Sequence, residues 1–266
     1  MSIDRRKFLK LAGLAGVGLG LSSTDLLFKD DAAASSSHSK AMAKVRLAMV
    51  IDMRKFRTEE DYKRVIDACH SIHNVPTLIT EKNNPKNEVK WIWKDSYEHT
   101  FPDQSDEFHP EALKEKSFLL LCNHCDNPPC VRVCPTKATF KREDGLVIQD
   151  PHRCIGCRFC MAGCPYGSRS FNWVDPRLYL EKTDPTYPTR TMGVVEKCTF
   201  CVERLAKGLQ PACVEKSNGG MVFGNLSDPN SEVRKLLASN YAIRRKPSLG
   251  TLPSVFYIMG GDENAG

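Results

Sequence analysis

The chain has 266 residues, 41% of them hydrophobic, so it is long enough for one large domain or two small ones with a true core. Its formal charge of +6 is spread along the chain without a run of five basic residues, which gives little support to nucleic-acid binding. Twelve cysteines are a high count for this length, and they constrain function more than any other part of the composition.

Residues 1–34 have the composition of an export signal. The arginine pair Arg5-Arg6 precedes a Gly/Ala/Leu-rich run from Leu11 to Leu21, and Ala32-Ala33-Ala34 offers a cleavage site. The apolar run is much shorter than the roughly 20 residues that span a bilayer. The arginine pair resembles a twin-arginine signal, which predicts a periplasmic protein exported in folded form. An ordinary secretory leader is the alternative.

A polar linker, residues 35–43, leads into residues 44–81, the first part of a predicted outer module. Arg46 to Asp52 is a short apolar run typical of a strand. Glu59 to His70 predicts a helix, because apolar side chains including Cys69 recur at steps of three and four residues. Cys69 has no other cysteine within fifty residues on either side.

The remaining segments differ in composition. Residues 82–117 are interpreted as an irregular insertion around one strand, Val89 to Lys94, and residues 118–176 form a central module with two cysteine motifs. Each motif is predicted as a strand, a loop with three cysteines, a short helix carrying the fourth, and a strand. Residues 177–189 are a proline-rich crossover, and residues 190–262 complete the outer module with a third motif and a closing strand.

The motif Cys154-x2-Cys157-x2-Cys160-x3-Cys164-Pro165 matches the bacterial ferredoxin run. Three thiolates on a tight loop hold one cluster, and the fourth, followed by proline, ligates the cluster of the partner motif. Disulfides are disfavoured because such close cysteines would pair only in strained loops. A structural zinc site is the alternative, although it rarely needs the third and fourth cysteines.

Crossed ligation divides the cysteines into three sets of four, which predicts three [4Fe-4S] clusters with no thiol left over. The sets are Cys122, Cys125, Cys130 and Cys164 for cluster 1; Cys154, Cys157, Cys160 and Cys134 for cluster 2; and Cys198, Cys201, Cys213 and Cys69 for cluster 3. A buried free thiol is the alternative for Cys69.

A fourth cluster is predicted to be absent, because other residues stand at all of its ligand positions. The ferredoxin spacing counted back from Cys69 reaches Tyr62 and Val65, with Phe56 further upstream, and none of these side chains ligates iron. The fourth-cysteine place of the last motif holds Ser217.

Other polar residues near the motifs receive simpler interpretations. Four histidines are interpreted as surface or hydrogen-bonding residues: His70, His73, His124 and His152. Six basic residues are interpreted as solvated surface charge, with tuning of cluster potential as the alternative: Arg132, Lys137, Arg153, Arg158, Arg169 and Lys197. The sequence has no nucleophile motif, phosphate loop or dinucleotide fingerprint.

The motifs "CNHCDNPPCVRVCPTKATFKREDGLVIQDPHRCIGCRFCMAGCPYGSRSFNW" and "EKCTFCVERLAKGLQPACVE" resemble the polyferredoxin subunits of membrane-linked oxidoreductases. The resemblance covers residues 44–260. It implies an α+β fold of two tandem bacterial-ferredoxin-like 4Fe-4S modules, with pseudo-two-fold cysteine pairing and an irregular insertion. It also implies that the outer pair, formed by the incomplete motif that ends at Cys69 and the motif of Cys198, Cys201 and Cys213, lies away from the membrane subunit.

Within this family, the leader and the stretches "AMVIDMRK", "DACHSIHNVP" and "KWIWK" look most like the periplasmic subunit of the Dsr-type complex of dissimilatory sulfur metabolism. This likeness implies an electron-transfer subunit that is not an enzyme alone. It implies a quinone-interacting integral membrane subunit and a periplasmic multihaem cytochrome, or other redox subunit, as partners. The alternatives are the iron–sulfur subunit of a polysulfide, tetrathionate or nitrite reductase, and a zinc- or disulfide-stabilised structural protein.

Overall fold

The structure is a computed structural model that describes residues 45–77, 87–104, 113 and 116–259. The predicted leader and linker lie outside the described residues, as does part of the predicted insertion. Within the described ranges, no helix is long and apolar enough to cross a membrane.

Helices alternate with short strands along the described chain. The helices are α1 (Glu59–Ile72), α2 (Tyr97–Thr100), α3 (Pro129–Arg132), α4 (Phe159–Ala162), α5 (Val202–Leu205), α6 (Ala212–Glu215) and α7 (Glu232–Ser239). The strands are β1 (Leu47–Asp52), β2 (Ile92–Ser96), β3 (Ser117–Leu121), β4 (Thr139–Lys141), β5 (Val147–Gln149), β6 (Ser170–Phe171), β7 (Val195–Glu196), β8 (Met221–Asn225), β9 (Ala242–Ile243) and β10 (Val255–Ile258).

A four-stranded sheet of order β8-β1-β10-β9 joins the two segments that we assigned to the outer module. Strand β1 runs antiparallel to β8 and parallel to β10. Its sequence is apolar at successive positions because both of its faces are covered. Met49 and Ile51 belong to the main core, whereas Ala48 and Val50 pack with Val233 of α7.

Helix α1 begins at a capping box. The Thr58 side chain accepts a hydrogen bond from the Asp61 backbone, and the Asp61 carboxylate accepts one from the Thr58 backbone. The helix buries the face that carries Tyr62, Val65 and Cys69. It ends at Ile72, two residues beyond the predicted end.

Three two-stranded sheets surround the cysteine motifs: β2-β3, β4-β5 and β6-β7. The strand predicted at Val89 to Lys94 is shifted to Ile92–Ser96, because it pairs with β3 in a register that ends at Ser96 opposite Ser117. Ser96 then caps α2 by accepting a hydrogen bond from the His99 backbone. Strand β6 pairs with β7, so its ladder links the central segment to the chain beyond the crossover.

Candidate metal centres

All twelve cysteine thiols are free, and they lie in three groups of four. The first thiol group lines one cavity and contains Cys122, Cys125, Cys130 and Cys164. The second thiol group lines another cavity and contains Cys134, Cys154, Cys157 and Cys160. In the third thiol group, Cys69 lies beside Cys198, Cys201 and Cys213. The structure thus brings together the same thiols that crossed ligation assigned to each cluster.

The two complete cysteine motifs and the partial third motif share the same local geometry. Helices α3, α4 and α6 each begin one residue before the third cysteine of their motif. These third cysteines are Cys130, Cys160 and Cys213. In each motif, the residue four positions after this third cysteine lies just beyond the helix. Its carbonyl oxygen accepts a hydrogen bond from the backbone N–H that lies three residues further along the chain. These turns are Lys137 to Cys134 at 3.3 Å, Gly167 to Cys164 at 3.5 Å and Gly220 to Ser217 at 2.9 Å.

Two conclusions follow from this repeated turn. The prediction that the fourth cysteine lies on the short helix is wrong, because the helix spans four residues and ends before that position. Ser217 has the backbone environment of Cys134 and Cys164, so it occupies the fourth-ligand place of its motif.

The loops of the motifs require unusual backbone conformations. Gly156 has φ +69°, and a Cβ atom there would clash with the carbonyl oxygen of Gly193. Neighbouring strands direct backbone N–H groups toward sulfur: Thr139 N of β4 lies 3.4 Å from Cys134 Sγ, and Val195 N of β7 lies 3.5 Å from Cys154 Sγ. Such donors stabilise a negatively charged sulfur.

Cys69 reaches the third thiol group from the buried face of α1, which packs against α6. Burial raises the pKa of the Cys69 thiol well above its usual range, and the thiols of Cys198 and Cys213 raise it further. Burial also raises the pKa of Cys213, to about 12. These thiols are therefore neutral at pH 7 unless a bound metal ion replaces their protons.

An aromatic ring packs against the turn that holds Ser217. A Cβ atom on Gly220 would lie 2.8 Å from Cε2 of Phe56, so this ring packs against the Ser217 turn. The ring centroids of Phe56 and Tyr62 lie 5.4 Å apart. The Ser217 hydroxyl donates to Val214 O at 2.7 Å and accepts from Met221 N at 2.9 Å, so it is used within its own turn.

The first thiol group lies between the other two. Cys130 of the first group neighbours Cys160 of the second, and Cys122 of the first neighbours Cys198 of the third. The groups therefore follow the order second, first, third, which is a continuous series rather than three separate sites.

The interpretation of the basic residues as solvated surface charge is wrong for two of the six. Arg169 is 5% exposed and Lys197 is 1% exposed, whereas Arg132, Lys137, Arg153 and Arg158 are exposed. Lys197 Nζ donates to Cys198 O at 2.7 Å and also to Val147 O. Burial depends on tertiary packing, and the local sequence around these two residues carries no signal of it.

Among the histidines, His73 and His124 are buried and hydrogen-bonded, and His152 is exposed. His124 Nδ1 accepts from Val147 N at 3.1 Å, and Nε2 donates to Cys198 O at 3.1 Å. Burial lowers the pKa of His124 well below its usual range, and the nearby Lys197 lowers it further. His124 is thus a neutral residue that ties the first motif to the third.

The residues present fit thiolate-held iron–sulfur clusters. Each group supplies four free thiols, which is the donor set of a [4Fe-4S] cluster. Arg169 lines the cavity of the first thiol group, and its Nη2 is buried without a hydrogen-bond partner among the described residues. A buried cation in this position requires negative charge nearby, which four thiolates would provide.

A family model described as "4Fe-4S dicluster domain" matches residues 115–180. This match confirms the predicted α+β, ferredoxin-like fold class.

Similar proteins extend the match over nearly the whole chain. The chain is 41% identical to the Hdr-like menaquinol oxidoreductase iron-sulfur subunit 1 of Archaeoglobus fulgidus, over 98% of this chain and 100% of that protein. It is 36% identical to the arsenate respiratory reductase iron-sulfur subunit ArrB of a Shewanella species, over 80% and 96%. It is 33% identical to the iron-sulfur cluster-binding subunit of menaquinone reductase from Nitratidesulfovibrio vulgaris, over 81% and 89%. The chain therefore belongs to the family of 4Fe-4S iron–sulfur electron-transfer subunits of oxidoreductase complexes.

Proposed function

We propose that the chain relays single electrons through three [4Fe-4S] clusters, between a quinone-interacting integral membrane subunit and another redox subunit of a Dsr-type sulfur-metabolism complex. The observation that carries this proposal is the series of three thiol groups, in which the first group neighbours both others. When bound, each cluster would supply reversible one-electron chemistry.

The proposed ligands are the twelve cysteines, four for each cluster in the three thiol groups defined above. Their surroundings perform two tasks. Burial of the third group and of Cys122, Cys125 and Cys130 in the first excludes water, and backbone N–H groups donate to sulfurs such as Cys134 Sγ and Cys198 Sγ. Both effects adjust the electron affinity of a thiolate-held site.

The proposed number of three clusters is supported by the side chains beside Ser217. Phe56 and Val65 are buried and carry no ligand atom, and the buried Tyr62 hydroxyl donates to Ser117 O at 2.7 Å. A fourth cluster would have to displace the Phe56 ring from its contact with Gly220.

The proposed contact with the quinone-interacting subunit is the face around the second thiol group. Cys134, Cys154 and Cys157 are partly exposed, unlike the buried third group. Around them, Ile155 is 66% exposed and Phe159 is 59% exposed. Exposed apolar side chains grouped beside a redox site are typical of a docking surface. The family resemblance supports this orientation, because it puts the outer pair of motifs, which contains Cys69 and the Cys198, Cys201 and Cys213 motif, away from the membrane subunit.

The distal partner is proposed to be a periplasmic multihaem cytochrome or other redox subunit. The leader-like residues 1–34 support a periplasmic location, with export in folded form and attachment to the inner membrane through the complex. Catalysis is proposed to belong to other subunits.

A reductase of another substrate is the alternative assembly. Over 52% of its length, the chain is 42% identical to a component of the polysulfide reductase of Wolinella succinogenes, and over the same share it is 48% identical to a component of the tetrathionate reductase of Salmonella typhimurium. A zinc-stabilised structural protein is the alternative of another class.

The experiment is purification of the full chain, tagged, from its native membrane, followed by metal analysis and identification of bound subunits. The proposal predicts brown protein with about twelve irons, four for each cluster, bound to a multi-span quinone-interacting subunit and a multihaem cytochrome. Colourless, zinc-loaded protein would refute the relay. Brown protein bound to a molybdenum-containing reductase would keep the relay and replace the Dsr-type assembly.

A further inference from the structure

Arg169 lies inside the protein at the boundary between two of the thiol groups. It lines the cavity of the first thiol group, and the thiols nearest to it are Cys130, Cys160 and Cys122. Cys160 belongs to the second group and the other two to the first. A single guanidinium therefore faces both groups.

The hydrogen bonds of Arg169 satisfy only part of its guanidinium. Nη1 donates to Thr139 Oγ1 at 3.1 Å and to Gln149 Oε1 at 3.0 Å, and both acceptors are neutral. Nη2 is buried and has no hydrogen-bond partner among the described residues. The two hydrogen bonds of Nη1 therefore hold the side chain in one orientation. At Nη2, no oxygen atom of the described residues accepts a hydrogen bond from the charged guanidinium.

No carboxylate among the described residues pairs with Arg169. Two further arginines are buried: Arg190 forms an ion pair with Glu196 at 2.6 Å, whereas Arg245 donates to the backbone carbonyls of Thr100 and Tyr166. Burying an arginine without a counter-charge is strongly unfavourable.

We infer that the Arg169 guanidinium is a buried counter-ion shared by clusters 1 and 2. Its positive charge raises the reduction potential of both clusters. This inference rests on the proposed function. Reduction adds one negative charge to a thiolate-held cluster, so a fixed cation nearby favours the reduced state. The same charge at the protein surface would be screened by water and salt.

The effect is limited in space. Cluster 3 has a different buried cation beside it, because Lys197 donates to the carbonyl oxygen of Cys198. Removal of Arg169 is therefore expected to act on the first two clusters and to leave cluster 3 as an internal reference within the same molecule.

The test is a redox titration of the cluster-loaded full chain with dithionite as electron donor, followed by electron paramagnetic resonance. Arg169→Gln removes the charge and keeps hydrogen-bonding capacity. We expect reduction of clusters 1 and 2 to become at least tenfold less favourable, which corresponds to a fall in potential of about 59 mV for one electron. The matched control is Arg132→Gln, which removes an exposed arginine from the first motif and is expected to cause no comparable shift.

Arg169→Lys separates charge from structure, because it keeps the cation and loses the planar fork. We expect it to retain all the clusters, with potentials of clusters 1 and 2 close to those of the wild type, even if Arg169→Gln fails to assemble a cluster. Unchanged potentials in Arg169→Gln, an equal shift of cluster 3, or equal damage by Arg169→Lys would each overturn the inference. Wild-type protein without clusters would instead refute the proposed function.

Discussion

Cys69 lies beside Cys198 in the folded protein, although the two residues are far apart in the sequence. Helix α1 carries Cys69 on its buried face and packs against α6, which carries Cys213. An isolated cysteine thus completes a motif that contains only three.

Cys69→Ala is expected to remove the same cluster as Cys198→Ala, because both thiols belong to the third group. Each variant should lose about four irons and the same electron paramagnetic resonance signal, while the other two signals remain. Cys122→Ala is the control, since it should remove a different signal. A Cys69→Ala protein with every wild-type signal would show that Cys69 is only a buried thiol.

Ser217→Cys is expected to add no cluster. The Phe56 ring packs against this turn, and Tyr62 and Val65 supply no further thiolates. Iron analysis should give the wild-type value, with a small loss of stability because the Met221 N–H loses its hydroxyl acceptor, at a cost of about 1–3 kcal/mol. A gain of about four irons would contradict the account of the missing cluster.

Gly156→Ala is expected to destabilise the second thiol group. Both the positive φ and the clash with Gly193 O oppose a side chain there. Gly208→Ala is the matched control, since Gly208 has φ +72° and a Cβ atom there would meet no atom of the described residues within 4 Å. The control should lose only about 1–2 kcal/mol from its backbone conformation.

The measurement is thermal unfolding of the loaded protein, together with the intensity of the cluster 2 signal. Gly156→Ala should unfold at a lower temperature than Gly208→Ala and lose that signal. Equal unfolding temperatures with full signals would show that the close approach at Gly156 is unimportant.

Phe159→Asp is expected to weaken attachment to the quinone-interacting subunit, because a charge at the centre of an apolar interface remains unpaired when the interface closes. Leu249→Asp is the control, since Leu249 is also half exposed but lies in the C-terminal part of the chain. Co-purification from membranes should fall for Phe159→Asp alone, with all clusters retained. Equal co-purification of both variants would place the contact elsewhere.

Sequence spacing together with the crossed ligation of paired ferredoxin motifs predicted which thiols lie together. Three cysteines share a short loop, and the fourth cysteine of each motif joins the group of the partner motif. The sequence also predicted the ends of β1 and α1 within two residues. The continuous apolar run of β1 matches a strand that is buried on both faces, and the apolar spacing of α1 matches a helix that buries one face. The two-residue strand β6 and the shifted strand β2 depended on pairing with distant strands.

The buried charges could not be predicted in this way. Arg169 and Lys197 stand in sequence among exposed arginines and lysines of the same type, and only the packing of three motifs against one another encloses them. The contact of Phe56 with Gly220 was equally hidden, because it joins the chain before α1 to the turn before β8.

The central claim is that this chain holds three clusters and has lost a fourth. Native mass spectrometry of the loaded full chain counts the irons and sulfides in single molecules and therefore tests it most directly. We predict a mass increment of three [4Fe-4S] clusters, falling to two in Cys69→Ala. An increment of four clusters in the wild type, or of three in Cys69→Ala, would contradict the account.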